Sequence, residues 1–197
     1  MGQQSSIRVT VVCLGNICRS PLAEYLLRHR LDESLGSDHG IVIGSAGTYS
    51  GHQGEPMHKN SAHELRGRGI DPDEFRATHL TRSLVAESDL VLGAEAEHVE
   101  HAVGLDASAQ SRSFTLREFA QLTDLTDPTQ LAGTSGAQRL HALVSVADAL
   151  RRSHQDAHQW AHLGVDDPYG MPQSAFRTCA DEIDQAFDPV VKILGGR

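Results

Sequence analysis

The sequence predicts an α/β fold in which a parallel sheet lies between two layers of helices. Short apolar runs rich in Val and Ile alternate along the chain with longer segments of helical periodicity, and Gly, Asn or Pro residues separate them. Such runs are typical of strands that are buried on both faces of a sheet. The length of 197 residues suits a single domain with a full core.

Four short apolar runs are the predicted strands. The run Ile7–Val12 is rich in β-branched residues and is predicted to be the buried central strand. The other runs are Ile41–Ile43, Asp89–Gly93 and Ser111–Phe114, of which the last has the weakest pattern. Because ligands bind to parallel sheets at the carboxyl ends of the strands, we expect the chemistry in the loop after the first strand.

Helical segments follow the predicted strands. The first helix is expected to begin at Ser20-Pro21, with Ser20 as its N-cap. The last is predicted as one helix from about Ser174 to Leu194, because its apolar residues recur at helical spacing. The other predicted helices cover about Lys59–Arg68, a segment from Glu95 onward, Leu116–Leu122 and a stretch around 140–150.

The charge balance and the cysteine count narrow the class of protein. Lys and Arg number 17 against 26 Asp and Glu, and the net charge of −9 argues against a nucleic-acid partner, which requires basic patches. Three cysteines cannot all pair within one chain, so we expect a cytoplasmic protein with reduced thiols. No apolar run approaches the ~18 residues that span a bilayer, and no membrane partner is expected.

The first six residues carry a pattern that also occurs in lipid-modified proteins. Gly2 followed by Ser6 fits the signal for N-myristoylation. Fifteen of the 17 basic residues are arginines, a bias typical of GC-rich bacterial genomes, in which this modification is not expected. We therefore interpret this segment as a short polar tail.

The segment Cys13–Pro21, which we call the anion loop, joins the first strand to the first helix. A loop in this position can wrap its backbone N–H groups around an anion, while the helix N-terminus adds its positive dipole. The Cys13 thiolate would face that positive end. The planar guanidinium of Arg19 matches two oxygens of a phosphoryl group.

Three smaller residues of the anion loop support this interpretation. Ser20 can donate a hydrogen bond to the sulfur, Gly15 permits a close backbone approach, and Asn16 can hold the loop through side-chain bonds to the backbone. A Cys and an Arg at this spacing occur by chance in many proteins. The strand before them and the Ser-Pro helix start after them indicate a catalytic loop.

The anion loop resembles the active-site loop of the low-molecular-weight protein tyrosine phosphatases. A second segment, Asp167-Pro168-Tyr169, resembles the loop that supplies the general acid in that family. Further matches in the family's order are Ser45–Thr48, Gly54–Pro56 and Asp89–Leu92. The resemblance implies the phosphotyrosine protein phosphatase I-like fold, with a four-stranded parallel sheet in three α/β/α layers. It also implies one domain over residues 1–197, with an insertion at about 123–163.

The resemblance implies a cysteine-dependent phosphatase acting on phosphotyrosine-like monoesters through a phosphocysteine intermediate. Cys13 would be the nucleophile, Arg19 the phosphate clamp and Asp167 the general acid, with Asp166 as the rival carboxylate. No metal and no cofactor are implied. The substrate would be a phosphorylated protein or a small phosphomonoester, with inorganic phosphate as product and inhibitor. The residues expected to line the substrate site are Leu14, Gly15, Asn16, Ile17, Cys18, Ser20, Tyr49 and Tyr169.

The chain departs from the family pattern around the leaving group. The family often has an aromatic residue near Gly51, and Tyr49 either replaces it or only decorates the turn. Tyr169 stands alone where the animal enzymes often have two tyrosines, and a supporting histidine is replaced near Phe75-Arg76. Ile17 favours an aryl phosphate, since relatives that act on phosphoarginine carry Thr there.

Two other functions stay open at this point. Arsenate reductases share the fold and the loop but need further cysteines, whereas Cys179 is interpreted as a buried structural thiol on the last helix. A catalytically weak phospho-ligand binding module would account for the altered aromatic wall and the insertion. Cys18 is either the partner of Cys13 in a reversible disulfide or a small packing residue.

Two groups of histidines have the spacing of metal ligands. His154, His158 and His162 recur every four residues, and His98 and His101 lie three residues apart on another predicted helix. No cysteine or carboxylate cluster accompanies them. We therefore interpret both groups as solvated helix faces and predict no metal site.

Overall fold

The computed structural model of the chain describes residues 6–195. Its strands are β1 (Ile7–Cys13), β2 (Ile41–Gly47), β3 (Leu90–Gly93) and β4 (Ser113–Thr115). They form one parallel sheet in the order β2-β1-β3-β4. The four predicted strands are therefore confirmed. The N-terminal pattern around Gly2 lies outside the described residues.

Helices cover both faces of the sheet and complete the three predicted layers. On β1, Val9 and Val11 point to a large core built with the helices that follow the anion loop and close the chain, whereas Val12 points to a smaller core with Val85 and Ala102. The helices are α1 (Arg19–Leu35), α2 (Lys59–Gly67), α3 (Arg82–Glu87), α4 (Ala96–Leu105), α5 (Leu116–Asp124), α6 (Gly136–Ser153), α7 (Ala157–Trp160), α8 (Gln173–Ala186) and α9 (Asp188–Leu194). None of these helices over residues 6–195 has the length and apolar character needed to cross a bilayer.

The register of the sheet brings the functional segments to one edge. Cys13 lies opposite Gly47 on β2, and Val12 lies opposite Gly93 on β3. The anion loop and the segments that follow β2 and β3 therefore start side by side at the carboxyl ends of the strands. This is the edge at which parallel sheets bind ligands.

Two helix predictions were wrong. Ser20 is not an N-cap, because α1 already begins at Arg19 and the Ser20 hydroxyl points towards Cys13. The predicted last helix is two helices, α8 and α9, because Pro189 lacks the N–H that would continue the hydrogen-bond ladder past Phe187. Helix α3 was not predicted at all.

Helix α6 lies in the predicted insertion and follows the amino-terminal edge of the sheet. Near its start, the Ala137 N–H donates to His39 O (3.0 Å) just before β2. Near its end, Arg151 Nη1 donates to Ser113 O (2.7 Å) at the start of β4. Its apolar residues at helical spacing pack inward as expected: Leu140, Leu143, Val144 and Ala147 are buried and Leu150 is partly buried. We propose that the insertion is part of the single domain and lies at the edge opposite the anion loop.

Candidate active site

The anion loop is held in shape by the segment that follows β2. The N–H groups of Thr48, Tyr49 and His58 donate to the carbonyl oxygens of Cys13, Leu14 and Ile17 at 2.8–3.0 Å. Gly47 makes this close approach feasible, because a Cβ at that position would overlap the backbone of Leu14 and Gly15.

Cys13 lies at the end of β1 with its thiol buried at the bottom of a cleft. Its Sγ lies 3.0 Å from Ser20 Oγ and 3.3 Å from the backbone nitrogen of Asn16. Both groups can donate to the sulfur. The surroundings of Cys13 are therefore suited to a thiolate, which needs donors to replace water.

Asn16 fixes the anion loop through its side chain. Its backbone lies in the left-handed region at φ 53°, which Asn adopts more readily than most residues. Its Nδ2 donates to Ser20 Oγ and Ser45 Oγ, each at 2.8 Å, and its Oδ1 accepts from the Thr78 N–H at 2.7 Å. The buried amide thus ties the loop to two neighbouring segments, as expected for a structural residue rather than one that lines the cleft.

Arg19 is buried and held between two carboxylates. Its Nη1 is paired with Glu95 and donates to Val165 O (3.0 Å), and its Nη2 lies 2.7 Å from Asp167 Oδ2. Burial opposes the charged form, but these carboxylates outweigh it, so the pKa of Arg19 is raised. Within residues 6–195 the buried Nε of Arg19 has no hydrogen-bond partner. The guanidinium therefore keeps a donor for an anion in the cleft.

Asp167 reaches the cleft from the loop before α8. One carboxylate oxygen contacts Arg19, and the other accepts the Tyr169 N–H at 3.0 Å. Its rival Asp166 is exposed and does not line the cleft. Of these two aspartates, Asp167 is the one that lines the cleft with Cys13 and contacts Arg19.

The cleft has a volume of about 170 Å³. Its apolar rim is formed by Leu14, Tyr49 and Tyr169, which are all about half exposed. Among the predicted site residues, Asn16 and Ser20 lie beneath the cleft instead of in its lining. The lining residues are Cys13, Leu14, Gly15, Ile17, Cys18, Arg19, Tyr49, His52, Asp167 and Tyr169.

The two other cysteines are buried thiols. Burial raises the pKa of Cys18 to about 12, with Asp167 and Cys13 adding to the shift. Burial likewise raises the pKa of Cys179 on α8 to about 12. Cys179 therefore has the buried position predicted for a structural thiol.

The histidine interpretation was wrong in three respects. His98 is fully buried, not solvated, and its Nδ1 accepts the Glu95 N–H at 3.1 Å at the start of α4. No carboxylate cluster was expected beside it, yet carboxylate oxygens of Glu95 and Glu97 and a ring nitrogen of His98 lie within 4.8 Å of one another. His154 lies beyond the end of α6 and packs against Trp160, so the spacing of four residues does not place His154, His158 and His162 on one helix face. The first error came from taking an amphipathic helix to be exposed on its histidine side.

Sequence reasoning missed Glu95, Val165 and His52. Glu95 and Val165 contact Arg19 across separations of 76 and 146 residues, and His52 lines the cleft beside Tyr49. A signal existed for Glu95, since it follows the carboxyl end of β3 at the edge where the site was expected. No local pattern marks Val165, which contributes its carbonyl group.

Comparisons with known proteins identify the family of this chain. Residues 8–152 match the sequence profile of the family described as low molecular weight phosphotyrosine protein phosphatase. The probable low molecular weight protein-tyrosine-phosphatase EpsP of Ralstonia nicotianae is 33% identical over 143 residues, which cover 72% of this chain and 91% of the relative. The matched residues include the anion loop and end before Asp167.

Two solved structures share the fold over nearly the whole chain. The low molecular weight protein tyrosine phosphatase from T. tengcongensis is 26% identical with a TM-score of 0.66, covering 95% of this chain and 99% of that one. Vibrio vulnificus Wzb, solved in complex with benzylphosphonate, is 21% identical with a TM-score of 0.66 and the same coverage.

Proposed function

Because the chain belongs to the low-molecular-weight phosphotyrosine protein phosphatase family, we propose that it hydrolyses phosphotyrosine-like phosphate monoesters through a phosphocysteine intermediate. The observation that carries this proposal is the convergence of Cys13, Arg19 and Asp167 on one cleft. These residues supply a nucleophile, a phosphate clamp and a general acid.

In the first step, the Cys13 thiolate attacks phosphorus and forms a P–S bond while the bond to the leaving oxygen breaks. Asp167 donates its proton to that oxygen, so the alcohol leaves in neutral form; such acid catalysis contributes ~10²–10⁴ in rate. Arg19 and the N–H groups of the anion loop stabilise the charge on the three other oxygens. The buried Arg19 Nε supports this role.

In the second step, water attacks the phosphocysteine and its proton passes to the Asp167 carboxylate. The P–S bond breaks, inorganic phosphate forms and the thiolate returns, with Asp167 protonated for the next cycle. The hydrogen bond between Ser20 Oγ and Cys13 Sγ supports a role for Ser20 in stabilising the departing sulfur. Inorganic phosphate fits the same cleft and would compete with substrate.

An aryl phosphate is the substrate that the cleft lining favours. Tyr49 and Tyr169 flank the cleft and present ring surface to a leaving group, and Ile17 adds an apolar wall at its base. These features favour phosphotyrosine in a protein, or a small aryl phosphomonoester, as the substrate. They favour phosphoarginine less, because its leaving group is a charged guanidine.

The proposal is tested with p-nitrophenyl phosphate and the Cys13→Ser variant. We expect turnover by the wild type, competitive inhibition by inorganic phosphate, and loss of turnover by at least ~10³-fold in the variant. Equal rates in the two proteins would refute the proposal. Binding of a phosphotyrosine peptide by the wild type without turnover would instead identify a binding module.

Substrate identity is accessible with the same variant. Cys13→Ser keeps the cleft, so we expect it to retain phosphorylated proteins that the wild type releases. Thiol-dependent reduction of arsenate that is abolished by Cys179→Ser would point to the alternative reaction. The buried Cys179 thiol, with its pKa raised to about 12, makes that outcome unexpected.

A further inference from the structure

The acid loop, residues 166–171, has few polar ties to the rest of the protein. Among the described residues, its only hydrogen-bonded contact outside the loop is the pair between Asp167 and Arg19. Behind it, a cleft of about 530 Å³ separates part of the loop from α8. In the proposed reaction Arg19 also serves the phosphoryl oxygens, so its pair with Asp167 competes with the substrate.

The acid loop also contacts the rest of the protein through a group of three aromatic rings. The imidazole of His58 stacks on Phe176 of α8, with ring centroids 4.8 Å apart and an interplanar angle of 8°. Its other neighbour is the ring of Tyr169 in the acid loop, at 5.9 Å and 65°. Stacked and edge-to-face arrangements of this kind are the favourable geometries for aromatic pairs.

His58 also touches the anion loop through its backbone. Its N–H donates to Ile17 O at 2.8 Å, and its Nδ1 accepts the Asn60 N–H at 3.3 Å as the N-cap of α2. The residue is therefore held both at its backbone N–H and at its ring nitrogen. Burial lowers the pKa of His58, with Lys59 adding to the shift, so the imidazole is neutral near pH 7.

Tyr169 is also hydrogen-bonded to Asp167, the proposed general acid. Its N–H donates to Asp167 Oδ1 at 3.0 Å, so the position of the Tyr169 backbone sets the orientation of the carboxylate. The path from His58 to Asp167 runs through one ring contact and one hydrogen bond, and it avoids Arg19.

We propose that His58 is a positioning residue that holds the acid loop against the anion loop, so that Tyr169 flanks the cleft and Asp167 points at the leaving oxygen. This inference rests on the proposed phosphatase function. An aromatic ring at position 58 is then required to place Asp167. N-capping of α2 alone would not require it, because Asn or Asp would serve as the cap.

Two variants at position 58 distinguish the role of the aromatic ring from the role of the N-cap acceptor. His58→Asn keeps an N-cap acceptor and removes the ring, whereas His58→Phe keeps the ring and removes the acceptor. For each, kcat/KM is measured with phenyl phosphate, whose leaving group needs protonation, and with p-nitrophenyl phosphate, whose leaving group needs it much less. The ratio of the two values does not depend on the folded fraction of a preparation.

We expect His58→Asn to lower kcat/KM for phenyl phosphate by about tenfold and for p-nitrophenyl phosphate by about twofold or less, since a misplaced acid hurts the poorer leaving group most. His58→Phe should keep the wild-type ratio. A wild-type ratio in His58→Asn, whether or not the two rates fall, would overturn the inference. A ratio altered in His58→Phe as much as in His58→Asn would also overturn it, because the ring would then not be the group that matters. Failure of the phosphatase proposal itself would be visible separately, as a wild type without turnover.

Discussion

The aromatic ring of Tyr49 lies in the space that a side chain at position 51 would occupy. A Cβ built on Gly51 would overlap the ring, which also packs edge-to-face against His52 at 5.7 Å. Tyr49 thereby supplies an aromatic wall to the cleft from a position two residues before the one expected. This arrangement is possible only because residue 51 is a glycine and has no side chain.

Gly51→Ala should displace Tyr49 and weaken catalysis without unfolding the protein, because the overlapping atoms belong to a side chain that can rotate away. We expect kcat/KM for an aryl phosphate to fall about fivefold, as for the loss of an aromatic contact of ~1 kcal/mol. Ser50→Ala is the matched control and should be neutral. A Gly51→Ala enzyme with wild-type kcat/KM, beside a Tyr49→Ala enzyme that loses it, would contradict this prediction.

The two adjacent carboxylates before Pro168 should differ sharply in importance. Asp167 contacts Arg19 in the cleft and Asp166 does not line it. We expect Asp167→Asn to lower kcat/KM for phenyl phosphate by ~10²–10⁴-fold and Asp166→Asn to have less than about a threefold effect. The reverse order of the two losses would reassign the acid.

Alkylation should distinguish the three thiols. The pKa values of Cys18 and Cys179 are raised to about 12, so these thiols stay protonated at pH 7 and react slowly. We expect iodoacetate to label Cys13 alone, since only its sulfur at the cleft has both the Ser20 hydroxyl and the Asn16 N–H as donors, and inorganic phosphate to protect it. Mass spectrometry of the digested protein gives the answer, and labelling in guanidinium chloride shows that all three thiols are detectable. Labelling of Cys179 in the folded protein as fast as Cys13 would contradict the assignment.

His98 should make the fold sensitive to acid. Burial, with help from Arg19, lowers its pKa to about 4, compared with ~6.5 in the unfolded chain. As the pH falls below 6.5, the unfolded state binds a proton that the folded state excludes until about pH 4, so stability is lost over this window. The loss amounts to about 2 kcal/mol between pH 7 and pH 5.

The measurement for His98 is urea unfolding of the wild type and of His98→Gln at both pH values. Other groups contribute equally to both proteins, so the difference between their pH slopes isolates this histidine. A Gln variant whose unfolding free energy falls as steeply with pH as that of the wild type would show that His98 does not carry the effect.

Arg151 should anchor α6 to the sheet. Its guanidinium stacks on Phe114 at 4.1 Å and donates to Ser113 O and Gln110 O, each at 2.7 Å. We expect Arg151→Met to lower the free energy of unfolding by about 2–3 kcal/mol. Arg152→Met is the control: that side chain is largely exposed and pairs with Asp148, so its removal should cost below ~1 kcal/mol. The activity per folded molecule should stay unchanged in both variants. Equal unfolding curves for the two variants would contradict the prediction.

The parts of the fold that the sequence predicted are those with a local signal. The β-branched run of β1 and the Cys-Arg loop that follows it can each be recognised within ten residues, and both were placed correctly. Asn16 was expected to bond the backbone, and its Oδ1 does accept an N–H, from Thr78. The bonds of its Nδ2 to two serine hydroxyl groups were not foreseen, because they depend on the tertiary fold.

The parts that were missed depend on contacts between distant segments or on weak patterns. Helix α3 has six residues, of which only Val85 is buried, so it shows no periodicity. The break before α9 was hidden because apolar residues keep helical spacing through Pro189. Glu95 contacts Arg19 and His58 contacts Tyr169, which are both far away in the sequence. The type of a single residue does not indicate which distant residue it will contact.

Helix α6 lies far from the cleft, at the opposite edge of the sheet. Its contacts lie along the amino-terminal edge of the sheet, from His39 to Ser113, whereas the cleft opens at the carboxyl edge. We therefore expect substitutions along α6 to affect the free energy of unfolding, and substitutions around the cleft to affect substrate choice. The two ends can therefore diverge independently in evolution, and α6 offers a place to attach a label or a fused domain while substrate choice is preserved.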